Sequence, residues 1–181
     1  MTTLEPVGVA PAATGAAPGA TADADPALTG TVGSIHLADH AGAPMRSVGR
    51  VRAIAGVGLE GDRYATRTGH YSPDSKVDRE VTLIAAEEIE RLADVFGIEL
   101  APGESRRNVT TRGIDLNALL GRRFRVGAVE CEGTRLCEPC LYLTEQLGKP
   151  VLEPLVHRAG LRARILTDGE IGVGDEVIDL G

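Results

Sequence analysis

The 181-residue chain has no tryptophan, two phenylalanines and three tyrosines. Any core it builds must therefore be aliphatic, made of Val, Leu, Ile and Ala, which the ordinary 43% hydrophobic share can supply. Basic charge is scarce too. A net charge of −7 argues against a general nucleic-acid binder, which needs a basic face. No apolar run approaches the roughly 18–20 residues that a bilayer-spanning helix requires, so no membrane partner is expected. Three cysteines are too few, and the wrong parity, for a disulfide scaffold, and reduced thiols in a cytoplasmic setting follow.

Residues 1–29 contain no Lys or Arg and are dominated by Ala, Pro, Gly and Thr. Secretory and mitochondrial leaders both need basic residues, so neither is expected here. Recurring Pro and Gly interrupt every helical stretch, and the segment reads as a disordered tail. One domain is expected over residues 30–181, a length suited to a single core.

Within that domain, apolar alternation predicts strands over residues 31–37, 47–54, 79–84, 106–111, 123–132, 161–166 and 176–180. The ten residues 123–132 read as the longest strand. Helical spacing of Ile89, Leu92, Ala93 and Phe96 predicts a helix over 85–96, with Gly97 as its C-cap. One or two helical turns are expected at 115–121, a helix at 142–147 and a short one at 151–157. Residues 62–78 form a long polar loop containing His70 and Tyr71, and a loop of that length in a compact domain is usually functional. Many short strands, glycine-rich turns and a few helices predict a mainly β (α+β) fold, an irregular β-barrel with helices packed on it.

The chemistry centres on Leu136-Cys137-Glu138-Pro139-Cys140-Leu141-Tyr142-Leu143, at a predicted strand-to-helix junction. Pro139 suits a first helical turn, and a thiol near a helix N-terminus is favoured as thiolate. Four readings of the pair are open. Cys137 and Cys140 with Cys131 and His157 could form a Cys3His zinc site. The pair could be a thioredoxin-like redox motif. One thiolate could be functional beside an incidental neighbour, or both could be small buried residues. A second constellation is cationic: Arg63 after Gly61-Asp62, Arg106-Arg107 before Asn108, and His157-Arg158. Arginines kept in loops of an acidic protein fit an anion such as phosphate or carboxylate, provided that they converge.

Taken together, Gly61-Asp62-Arg63-Tyr64, Arg79-Glu80-Val81-Thr82-Leu83-Ile84, Arg107-Asn108-Val109, Gly113-Ile114-Asp115-Leu116, Cys137-Glu138-Pro139-Cys140 and Gly174-Asp175 resemble the ordered motifs of MOSC domains. These domains are named for the C-terminal part of molybdenum cofactor sulfurase, and the resemblance spans residues 30–180. It implies a MOSC-type β-barrel that handles the molybdenum cofactor (molybdopterin). By this resemblance Cys140 would be the catalytic thiol and the molybdenum ligand. Arg63, Arg107, Asn108 and Arg158 would bind the cofactor, with Cys137, His70 and Tyr71 as accessory residues. The implied activity is reduction of small N-hydroxylated compounds, with electrons from a separate reductase. The alternative role is sulfur carriage, with a persulfide on Cys140 supplied by a cysteine desulfurase whose pyridoxal phosphate sits on that partner.

Overall fold

A computed structural model describes residues 28–72 and 78–181. Of the tail expected over 1–29, residues 1–27 lie outside the described residues, as do residues 73–77 of the long loop; Thr29, expected in the tail, opens the first strand.

Seven strands close into a barrel. They are β1 (Thr29–Leu37), β5 (Val81–Ala85), β6 (Val109–Arg112), β7 (Arg123–Val126), β8 (Val129–Leu136), β9 (Leu161–Ile165) and β11 (Glu176–Asp179). Their order is β11-β7-β8-β9-β5-β6-β1, and pairing of β1 with β11 shuts the circle. Closure removes the edge strands that would otherwise expose unpaired backbone. Strand β2 (Arg46–Val48) extends the sheet from β1, while β3 (Arg50–Ile54), β4 (Gly58–Leu59) and β10 (Gly169–Gly172) form a small second sheet. Among these strands every pairing is antiparallel except β5–β6. That parallel pair needs a crossover, which helix α1 (Ala86–Phe96) supplies.

The aliphatic core expected from composition fills the barrel. Ile35, Leu59, Leu83, Val109, Leu119, Leu161 and Ile171 are buried there around Phe124. A smaller cluster of Leu92, Leu143, Val151, Leu155 and Ala159 joins α1 to helix α2 (Leu141–Leu147). Leu92 alone of the expected α1 face is fully buried; Phe96 is 47% exposed beneath the Arg91 guanidinium. Gly97 caps α1 in the left-handed conformation, φ 64°, as predicted.

Several boundaries differ from the sequence reading, each for a local reason. The single strand expected over 123–132 is a hairpin. Val126 pairs with Val129 across a turn at Gly127, φ 57°, so the apolar alternation runs through two strands and changes phase between them. The strand expected over 47–54 is broken at Gly49 into β2 and β3, which belong to different sheets. No helix forms at 115–121; those residues make turns ending in an isolated bridge from Leu120 to Gly133. Residues 153–155 form one 3-10 turn where a helix over 151–157 was expected. Strand β10 arises within the segment expected to be turn alone. It is short and bracketed by glycines, which hides it from a periodicity argument.

Candidate functional site

One rim of the barrel carries an open cleft with a volume of about 80 Å³, or about 650 Å³ when the space open to solvent is included. Its wall joins the loop after β4, the approach to β6, strand β9 and the segment leading from β8 into α2. The segment holds both cysteines of the pair. Leaving β8, Cys137 is pinned when its N–H donates to Gly160 O at 2.7 Å. Gly160 is the residue this contact needs: its φ is +105°, and a Cβ there would sit 1.8 Å from Leu83 O. Cys140 is the N-cap of α2, with extended backbone, and its carbonyl accepts the first helical hydrogen bonds from Leu143 and Thr144. The helix therefore begins one residue past Cys140, one residue before the start expected at Tyr142, and Pro139 lies ahead of it and not in its first turn.

Cys137 is 4% exposed, Cys140 is half-buried, and both line the cleft. Cys131 is elsewhere. It points into the barrel core, where burial, with a smaller push from Glu80, raises its thiol to about 12. His157 is held by Glu138, ring Nδ1 to Oε1 at 2.6 Å and backbone N–H to Oε2 at 2.8 Å. The zinc set of Cys131, Cys137, Cys140 and His157 is thus not assembled. Among the described residues no three His, Cys, Asp or Glu side chains gather as metal ligands.

Five arginines line the cleft: Arg63, Arg79, Arg106, Arg107 and Arg162. Among the described residues the single lining carboxylate is Glu138. Arg63 is 4% exposed; Nη1 contacts Asp62 and Met45 Sδ, and Nη2 donates to Arg106 O at 3.0 Å. Arg107 is 9% exposed and spends its donors on three backbone carbonyls, those of Ala159, Ser105 and Cys137. It braces the cysteine segment from below. Arg106 holds a left-handed backbone, φ 62°, unusual without glycine and a mark of a conformation imposed by its surroundings. Burial, then repulsion from Arg63, lowers its guanidinium pKa. An anion in the cleft would relieve both effects. At Arg162, burial works against the charge. The neighbouring Cys137 sulfur outweighs it by charge and hydrogen bond, with Asp78 assisting, and the net shift is upward.

Arg63, Arg107, Cys137, Cys140, His70 and Tyr71 all reach this cleft. Asn108 and Arg158 do not. Asn108 lies beneath it, 1% exposed, with its amide donating to His36 O and Asp62 and accepting from Thr82. Its hydrogen-bonding capacity is committed to the floor. Arg158 pairs with Glu88 at 2.8 Å and borders a separate cleft beside α1.

The sequence reading missed Arg79, Arg162, Tyr64 and Tyr142 as wall residues. One signal could have found the tyrosines. In a chain with only three, all of them, Tyr64, Tyr71 and Tyr142, line this one cleft. His70 stacks on Tyr142 with centroids 4.0 Å apart and planes 6° from parallel, and meets Tyr71 edge-on at 4.7 Å. Arg63 and Arg79 lie over the rings of Tyr64 and Tyr71. A hydrogen bond to the Cys140 sulfur, followed by burial, lifts the Tyr71 phenol to about 12.

The rim of the closed barrel sets a half-buried thiol among arginines and aromatic rings, the donor types that an anionic ligand with a soft centre would need. The chain belongs to the MOSC domain family, whose profile matches residues 35–178. Among solved structures it is similar to the YUAD protein from Bacillus subtilis, with TM-score 0.69 and 19% identity over 83% of this chain and 94% of that one. It is also similar to YiiM from Geobacillus stearothermophilus (0.64; 17%; 84% and 75%) and YiiM from Escherichia coli (0.58; 16%; 85% and 70%). At these identities the likeness is one of fold. None of the curated proteins matches the chain in sequence. Among the described residues no helix is long and apolar enough to cross a membrane.

Proposed function

We propose that the chain binds a molybdenum cofactor and reduces small N-hydroxylated compounds, with a separate reductase as electron donor. The observation that carries this reading is the convergence of Cys140 with Arg63, Arg106 and Arg107 in one cleft of a MOSC domain. The donor set fits the group. A thiolate is a suitable ligand for a soft metal centre, and an excess of guanidinium over carboxylate suits a terminal phosphate.

In this reading Cys140 supplies the protein ligand to the metal, and Arg106, which gives a hydrogen bond to Ala43 O from Nη1, is the first choice for a direct phosphate contact because burial and Arg63 both disfavour its charge. Arg63 and Arg107, each hydrogen-bonded to backbone carbonyls, hold the wall in place and add positive potential. When bound, the cofactor would exchange two electrons with the substrate. The overall reaction consumes two electrons and two protons, breaks the N–O bond and releases water, leaving the amine or amidine. The aromatic wall of Tyr64, His70 and Tyr142 orients a flat substrate by stacking and reduces the water in the cleft.

Metal analysis of protein produced in a cofactor-competent host tests the assignment. Molybdenum should be stoichiometric in the wild type and lost in Cys140→Ala; equal metal content in the two overturns it. Cys137 in the same cleft favours one second reading, a carrier that accepts persulfide sulfur. Mass spectrometry after incubation with a cysteine desulfurase separates the two, because a carrier gains 32 Da of sulfur on Cys140 or Cys137, and no added mass rejects carriage.

A further inference from the structure

We infer that Arg162 is a specificity-determining residue: its guanidinium receives a carboxylate carried by the ligand that occupies the cleft. The inference rests on the reductase reading only in calling that ligand the substrate, which would then be a flat N-hydroxylated compound bearing a carboxylate.

Two groups of cleft arginines are held by different partners. Arg63 and Arg106 form the first: Arg63 contacts Asp62, Met45 and Arg106 O, and Arg106 donates to Ala43 O. Arg79 and Arg162 form the second, around Asp78. Asp78 Oδ1 lies 3.6 Å from Arg79 Nε, while Oδ2 lies 2.6 Å from Arg135 Nε and 3.8 Å from Arg162 Nη1. One carboxylate thus faces three guanidinium groups, and Arg162 is the most distant of them. Its contact is longer than a hydrogen bond, and its Nε and Nη1 are buried with no hydrogen-bond partner among the described residues. Glu138, the carboxylate of the cleft wall, is already engaged by His157.

The barrel wall fixes where Arg162 sits. Within β9 it lies opposite Thr82 of β5 on one side and Arg135 of β8 on the other. Its carbonyl accepts from Thr134 Oγ1 at 3.0 Å. The side chain is 15% exposed and lines the same cleft as both cysteines. A cation placed in advance on a rigid strand loses little freedom when it takes a ligand.

A buried cation short of counter-charge is costly, and buried donors without acceptors are rare in folded proteins. A ligand carboxylate supplies what Arg162 lacks: one negative charge and two acceptor oxygens in a plane that matches a guanidinium edge. One guanidinium balances one charge, which favours a carboxylate over a phosphate dianion. Tyr64, His70, Tyr71 and Tyr142 line the rest of the cleft, so the group that carries the carboxylate is flat. Sites built around such a polar contact reject neutral isosteres strongly, because the charged partner is then left unpaired.

Isothermal titration calorimetry on protein from a cofactor-competent host compares two ligands of one shape, p-aminobenzoate and p-aminobenzamide. Neither carries an N–O bond, so binding is read without turnover. In the wild type the carboxylate should bind about tenfold more tightly than the amide, as expected for hydrogen bonds to a charged group. Arg162→Gln should bring that ratio close to one by weakening the carboxylate alone. Equal affinities in the wild type overturn the inference without any variant, and so does a preference that survives in Arg162→Gln. Should the buried amide prevent folding, Arg162→Met leaves no buried donor and reads the same ratio with the same two outcomes. Turnover separates this inference from the reductase reading. The KM of p-(hydroxyamino)benzoate should lie about tenfold below that of p-(hydroxyamino)benzamide at similar kcat, and Arg162→Gln should erase the gap. Reduction of both compounds at equal KM overturns Arg162 as a selector of substrate. Reduction of neither, with the binding preference intact, overturns the reductase reading and leaves the carboxylate site standing.

Discussion

Asp62 Oδ1 and the side-chain nitrogen of Asn108 lie 3.1 Å apart, both buried in the floor of the cleft. This contact joins two motifs 46 residues apart in sequence. Asp62 also accepts from the Ala38 and Tyr64 backbones and from Arg63. Asn108 bridges β1, through His36 O, to β5, through Thr82. The two residues thus convert barrel geometry into a fixed position for Arg63.

Asn108→Ala should therefore cost stability well beyond its lost volume. It strands the Thr82 hydroxyl, the His36 carbonyl and one Asp62 oxygen contact in a water-poor floor. The expected loss is about 2–4 kcal/mol, read from denaturant midpoints at constant m-value. A loss under about 0.5 kcal/mol would mean that the network is not what holds the floor.

Arg106 is a buried cation repelled by Arg63, with a hydrogen bond from Nη1 to Ala43 O. Inorganic phosphate should stabilise the cofactor-free protein more than sodium chloride of equal ionic strength. At ten times its Kd, phosphate would add about 1.4 kcal/mol, a rise of roughly 3–5 °C in Tm for a domain of this size. Arg106→Gln should abolish the difference between the two salts. Identical Tm curves in phosphate and chloride for the wild type would remove Arg106 as an anion-holding group.

The barrel was legible in the sequence because alternation reports which side of a sheet each residue faces. Val81, Leu83, Leu161 and Ala163 were readable in this way. Hairpin β7–β8 was not, because a two-residue turn leaves no polar interruption, and only the phase change at Val126 and Val129 betrays it. At the site, Arg63, Arg107 and the cysteine pair were legible as motifs. Arg162 was not, since within β9 it looks like any outward residue of an alternating strand. The bulge between Gly133 and Arg135 of β8 lies directly opposite it, and such local shifts have no one-letter signature. Arg158 misled for the converse reason. A loop arginine beside a histidine looks available, and only the fold reveals Glu88 within 2.8 Å.

His36 makes stability depend on pH. It is 2% exposed, its Nδ1 has no hydrogen-bond partner, and burial lowers its pKa below the ordinary 6.5. Because the folded value is the lower one, the unfolded chain binds the proton first as pH falls. The stability His36 confers as a neutral ring is complete above about pH 6.5 and is lost downward through the folded value, at up to about 1.4 kcal/mol per pH unit. Glu80 acts oppositely: burial raises its pKa despite hydrogen bonds from Ile165 and Gly56, so its contribution grows as pH falls. The measurement is therefore a difference. Stability from pH 7.5 to 5 should fall less steeply in His36→Leu than in the wild type, and parallel curves would show that His36 does not titrate on unfolding.

Gly160 provides the sharpest test of how the fold places the cysteines. Its carbonyl accepts the Cys137 N–H, and the carbonyl before it accepts Arg107 Nε. A methyl group at position 160 would have to push the 159–160 turn away from Leu83 on β5, releasing both contacts at once. Gly121 is the control. Its φ of +74° resembles that of Gly160 in sign, but a Cβ there meets nothing within 4 Å. Gly121→Ala should cost only the left-handed backbone penalty of about 1–2 kcal/mol. Gly160→Ala should cost at least about 3 kcal/mol, and in the folded fraction it should open Cys137 to alkylation. If the two substitutions prove equally mild and Cys137 stays protected, the turn yields easily and the cysteine segment is not anchored through Gly160.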